Sequence, residues 1–103
     1  MSEEEPGLAE LRTRLVRGFL DVTIMKLLLD EPLWGYKMME VLNDTYGVKV
    51  GPAVIYPLLD SMEADGLILA EEVYSGKRKR KVYKVLPQGE AVLKNMDRIL
   101  KDF

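Results

Sequence analysis

No cysteine and no histidine occur anywhere in the chain. The first absence rules out disulfides and thiolate chemistry. The second removes the commonest metal ligand and the one side chain that ordinarily titrates near neutrality. An enzyme built from this sequence would have to work with paired carboxylates. The nearest such pair, Asp60 and Glu63, lies one helical turn apart and reads as a solvated face. No cofactor and no metal is expected, and catalysis is the poorest of the available readings. No apolar run approaches the roughly 20 residues that cross a bilayer. The opening Ser2-Glu3-Glu4-Glu5 is acidic, unlike the basic and apolar start of a secretory signal. The expectation is a cytoplasmic protein with no membrane contact. Its 103 residues make one domain with a modest core.

Positive charge is also in short supply, with 15 Lys and Arg against 17 Asp and Glu and a net charge of −2. It is unevenly spread. Lys77, Arg78, Lys79, Arg80 and Lys81 stand in succession, leaving 10 basic against 17 acidic residues, a balance of −7, everywhere else. A strongly positive patch on an acidic body is the footprint of a phosphate-binding surface, which the total charge conceals. Inert charge runs commonly guard a strand edge, but five adjacent cations exceed what that needs, so phosphate binding is the favoured reading.

The stretch Val50–Gly66 organises the chain. Pro52 suits the first position of a helix and Gly66 its left-handed end. Ile55, Leu58, Leu59 and Met62 recur at helical spacing and define a buried face. Ala53, Val54 and Tyr56 occupy the other side of the start, small or aromatic groups that leave room for a close partner. Upstream, residues 1–7 read as a frayed end. Leu8 to Leu29 reads as one long helix with two apolar stripes, Leu15/Phe19/Val22 and Leu20/Ile24/Leu27/Leu28. Two stripes need two covers: the core and a second subunit is the favoured reading, and burial of both inside one monomer the alternative. Pro32 is expected to start the next helix, which runs from Leu33 to Tyr46 with Met38, Met39, Leu42 and Tyr46 inward and Gly47 as its stop. Trp34 and Tyr36 fall in its first turn and read as core packing with a polar edge. Lys37, in the same turn, and Lys49, in the spacer Val48–Val50, are candidate phosphate contacts. Two helices joined so closely match a helix-turn-helix.

After Gly66 the pattern becomes that of a β-hairpin: a strand from Leu67 to Tyr74, a turn at Ser75-Gly76, and a returning strand from Lys81 to Leu86. The basic run lies at its tip. Pro87 restarts a helix whose Val92, Met96, Ile99, Leu100 and Phe103 form a terminal apolar stripe, for which the first helix of a second subunit is the natural cover.

These segments in this order resemble the PadR-like transcriptional regulators, which are winged helix-turn-helix proteins. The resemblance covers roughly Leu15 to Val92. It is carried by R-G-F-L-D at Arg17–Asp21, E-P-L-W-G-Y at Glu31–Tyr36, I-Y-P-L-L at Ile55–Leu59, E-A-D-G-L-I at Glu63–Ile68, the basic wing, and L-P-Q-G at Leu86–Gly89. It implies a mainly α fold with a small β-hairpin, comprising a winged helix-turn-helix over residues 8–86 and a dimerisation helix over 87–103. It also implies a homodimeric repressor of double-stranded DNA, often released by a small-molecule effector, here unidentified. Tyr56 would then bond a DNA phosphate, Pro52 to Val54 would face base edges, and the wing from Lys77 to Lys81 would lie along the neighbouring minor groove. The first and last helices would build the dimer.

The sequence departs from the family pattern where Gly51 replaces Ser, Val54 replaces Thr and Leu86 replaces Thr. A lost Ser or Thr cap costs about 1 kcal/mol, and only a few tenths where Gly replaces it. Val54 can meet a thymine methyl but cannot hydrogen-bond a base. Asp60 and Ser61 stand where basic or polar groups are common, and the last helix carries no tryptophan. The rival class is a winged-helix protein-interaction module, for which a G-K-R-K-R-K wing has little use.

Overall fold

The computed structural model describes residues 7–102. Phe103 and all but the last residue of the stretch expected to fray lie outside the described residues. The elements are α1 (Leu8–Gly18), α2 (Leu20–Asp30), β1 (Leu33–Trp34), α3 (Gly35–Tyr46), α4 (Pro52–Ala64), β2 (Ile68–Ser75), β3 (Arg78–Val85) and α5 (Pro87–Lys101). The strands form one antiparallel sheet in the order β1-β3-β2.

The single long helix expected from Leu8 to Leu29 is two helices. The break falls at Phe19, whose φ of −113° and ψ of 35° leave the helical region. Gly18 supplies the weak point, since glycine inside a helix is poorly held. The second helix is anchored at once: the Phe19 carbonyl accepts from both the backbone N–H and the hydroxyl of Thr23, each at 2.8 Å. The two expected stripes separate with the break. Leu20, Ile24 and Leu28 are buried in the core, whereas Leu15 and Phe19 face outward.

Pro32 does not start a helix. Leu33 and Trp34 pair instead with Tyr83 and Val82 as a two-residue strand, and α3 begins at Gly35. A partner strand far along the chain outweighs the local preference of proline for a helix start. From there α3 buries Met38 and Leu42 completely, and Gly47 ends it at a φ of 68°. Between α3 and α4, Val48 and Val50 are buried on either side of exposed Lys49, so the spacer is pinned to the core without being a strand.

In α4, Pro52 occupies the first turn and Ile55, Leu59 and Met62 are buried, with Leu58 packed partly against them. These side chains meet Ile24, Met25, Met38, Leu42 and Ile68 in one core. Full burial of each such side chain contributes about 1.5–3 kcal/mol. Gly51 and Leu86 stand at the N-caps of α4 and α5, and neither helix start has a side-chain cap.

The hairpin turn is shorter than expected. Ser75 pairs with Arg78, leaving only Gly76 and Lys77 at the tip. Gly76 has a φ of 65° and Lys77 does not have a positive φ, the pattern of a two-residue type II′ turn. The returning strand therefore begins at Arg78, and four of the five adjacent cations lie along β3, with only Lys77 at the tip.

Candidate nucleic-acid interface

Because side chains alternate along a strand, β3 sorts its cations onto two faces. Lys79, Lys81 and Tyr83 share one, and Arg78, Arg80 and Val82 the other. At the base of the wing Tyr83 pairs with Leu33, both buried, which turns the first face inward. Lys79 Nζ lies 2.9 Å from Glu72 Oε2, and on the other face Lys84 Nζ lies 2.6 Å from Glu71 Oε1. All four side chains are about half exposed, so each pair contributes under about 1 kcal/mol. Lys77, Arg78 and Lys81 have no acidic partner among the described residues.

A groove of about 1010 Å³ opens between β3 and the start of α3. The β1–α3 turn contributes Trp34, Tyr36 and Lys37, α4 contributes Tyr56 and Asp60, and β3 contributes Arg78 through Lys81 and Tyr83. Tyr56 reaches this wall because Gly35 has no side chain. A Cβ there would stand 2.7 Å from Tyr56 Cε1 and 2.9 Å from both its Cζ and its hydroxyl oxygen. The groove is not uniformly basic. Lys37 Nζ is held 3.2 Å from Glu40 Oε1, and Asp60 is exposed on the α4 wall. Beneath it, the Tyr83 phenol is pushed above its ordinary pKa, first by burial and then by Asp60, Glu63 and Tyr56.

The sequence-derived residues thus divide. Tyr56, Lys37, Arg78, Lys79, Arg80 and Lys81 come together around one groove. Pro52, Ala53 and Val54 are exposed on the first turn of α4, and Val54 lines a shallow depression with Arg17, Leu20 and Asp21 on the other side of the helix. Lys49 is exposed where the chain enters α4, and its carbonyl accepts from Arg17 Nη2 at 3.0 Å. Lys77 occupies the wing tip. Leu15, Phe19, Val92, Ile99 and Leu100 are exposed apolar residues on α1, its C-cap and α5, joined by Leu8 and Leu11. Val22 and Met96 are half-buried, Val22 against the core.

A family model described as the transcriptional regulator PadR-like family matches residues 24–95. The chain belongs to the PadR-like family. Transcriptional regulator Rv3488 of Mycobacterium tuberculosis (strain ATCC 25618 / H37Rv) is 39% identical over 57 residues, 55% of this chain and 53% of that protein. The chain thus spans about half the length of this curated relative. A PadR family transcriptional regulator from Eggerthella lenta DSM 2243 superposes with a TM-score of 0.77 at 28% identity, over 92% of this chain and 86% of that one. Bacillus subtilis PadR, whose structure is in complex with operator DNA, superposes with a TM-score of 0.70 at 25% identity, over 75% of this chain and 45% of that one. Five helices and a small three-stranded antiparallel sheet among the described residues are the PadR winged-helix architecture.

Trp34 and Tyr36, both expected to pack in the core, line the PadR-like groove instead, and Arg17, outside it, takes a role that the sequence does not assign. Trp34, read as core, is 38% exposed, and its ring faces the Arg80 guanidinium at 4.8 Å. Tyr36 is 68% exposed at the start of α3. Arg17 fastens α1 to the spacer before α4. No local signal marks Trp34, whose partner Arg80 arrives from the other half of the chain. No described helix is long and apolar enough to cross a membrane.

Proposed function

We propose that this PadR-like chain is a homodimeric repressor that grips a pseudo-palindromic operator, with α4 in the major groove and the β2–β3 wing along the flanking backbone. The observation that carries this reading is the gathering of Tyr56 and the cations of β3 around one groove beside the bare first turn of α4. Pro52, Ala53 and Val54 face base edges, and Tyr56, Lys37, Lys49 and the wing hold the backbone. Residues 8–86 form the DNA-binding unit. Helices α1 and α5 pair with those of a second copy through Leu15, Phe19, Val22, Val92, Met96, Ile99 and Leu100, with Phe103 beyond the described residues. Twofold symmetry then sets the two recognition helices about 34 Å apart, one turn of the duplex. Bacillus subtilis PadR in its operator complex supports the DNA reading by likeness.

The test is a salt series. If two protomers neutralise about 6–10 phosphates, duplex affinity falls roughly 10³–10⁵-fold between 50 and 200 mM salt. Lys77→Ala together with Arg78→Ala weakens binding to all sequences alike and flattens that salt dependence, whereas Val54→Thr alters sequence preference. A flat response in the wild type removes the wing from the interface and favours a protein-docking role.

A further inference from the structure

The five cations of the wing are not equivalent. Lys77, Arg78, Lys79 and Lys81 are exposed, and Arg80 is partly covered. Its guanidinium lies 4.8 Å from the centre of the Trp34 ring, inside the roughly 6 Å reach of a cation–π contact. The register explains the meeting. Trp34 pairs with Val82, and Arg80 is the next residue outward on the same face of β3.

We infer that Arg80 is a positioning residue, tethering the wing to the β1–α3 turn through Trp34 instead of holding a phosphate itself. This rests on the DNA-binding reading above. The strand β1 covers only Val82 and Tyr83 of β3. Beyond them, toward the tip, β3 has β2 on one side and no strand on the other. A hairpin with strands of eight residues each thus has a third strand beside it only at its base. The Arg80–Trp34 contact is the next brace outward. The neighbouring residue, Gly35, seats Tyr56. Consecutive residues of one turn therefore hold both the wing and the recognition helix.

The tether predicts a particular pattern of losses. A fluorescein-labelled duplex recovered from a random pool is titrated by fluorescence anisotropy with the wild type, Trp34→Leu, Arg80→Met and the double variant. Each single variant binds about 2–5-fold more weakly, and the double variant binds no more weakly than either. Trp34→Leu removes no charge, so its loss is not that of an ion pair with phosphate. Trp34→Phe, which keeps an aromatic face, falls between wild type and Trp34→Leu and guards against a general folding defect. Wild-type affinity in Trp34→Leu beside a loss in Arg80→Met, or losses that multiply in the double variant, overturns the inference and makes Arg80 a direct phosphate ligand. A wild type that ignores the duplex overturns the DNA-binding reading and the tether together. Multiplying losses in a chain that does bind overturn the tether alone.

Discussion

Replacing Gly89 by alanine sets two effects of opposite sign against each other. Alanine is the better helix former by about 1 kcal/mol at most, and Gly89 lies in the first turn of α5, so propensity alone favours the variant. Packing opposes it. A Cβ at Gly89 would stand 2.5 Å from the Leu67 carbonyl oxygen, 2.8 Å from Val85 Cγ2 and 3.2 Å from Met25 Sδ. The methionine can yield, but the carbonyl is backbone and already accepts the Leu86 N–H at 2.9 Å. Overpacking of this kind costs about 1–3 kcal/mol, and loosening that hydrogen bond adds about 1 kcal/mol. The net is a destabilisation of about 1–3 kcal/mol. At about 4–8 °C per kcal/mol for a domain of this size, the thermal midpoint drops roughly 5–20 °C. Circular dichroism melts at one fixed protein concentration read it, since association makes the midpoint depend on concentration. Gly18→Ala is the control, because a Cβ there meets nothing within 4 Å, and its midpoint holds or rises. An unchanged or raised midpoint in Gly89→Ala would refute the close approach of α5 to the Leu67 carbonyl.

Gly35→Ala behaves differently, because the atoms in its way are the far end of the Tyr56 side chain, which is 39% exposed and free to swing. The midpoint stays within a few degrees while duplex affinity falls about tenfold or more, the loss of a hydrogen bond to a charged phosphate; unchanged affinity in a titration would take Tyr56 out of the interface. Burial and nearby carboxylates raise the Tyr83 pKa, so its unfolded phenol ionises first. Its contribution to stability is complete below pH 10.0 and is lost as the pH rises through the folded value. Tyr83→Phe therefore loses less stability between neutral and strongly alkaline pH than the wild type, as urea melts across that range would show; parallel losses count against it. Under the pairing of α1 and α5 proposed above, Ile99→Glu, on the 61% exposed residue of α5, halves the mass measured by sedimentation equilibrium, and a mass equal to that of the wild type counts against that pairing.

Features written into a short stretch of sequence were legible in advance. The extent of α4 follows from Pro52, Gly66 and the spacing of Ile55, Leu59 and Met62, and α5 follows from Pro87 and its apolar stripe. The core faces of α2 and α3 were equally local. What sequence reading missed depends on distant partners. The strand β1 exists because Leu33 meets Tyr83, a pairing that no window around Pro32 contains. Trp34 reads as core for the same reason, since its actual neighbour Arg80 arrives from the other half of the chain. The break at Phe19 is a third case: one weak residue, Gly18, sits inside a pattern whose apolar spacing runs straight through it. In the site, the residue types and the wing were readable. Their division into paired and unpaired cations was not, because that follows from the hairpin register.

The two-residue tip also constrains how this wing can change over time. Inserting a single residue into β3 between Lys79 and Val82 would exchange the two faces of every position outward of it. Inserted between Val82 and Val85, it would set Tyr83 or Val82 on the wrong side of the sheet. Lengthening by two residues preserves the alternation. Natural variation in the arm should therefore come as substitutions or as paired insertions, and odd-numbered length changes should be accompanied by a bulge that restores the phase.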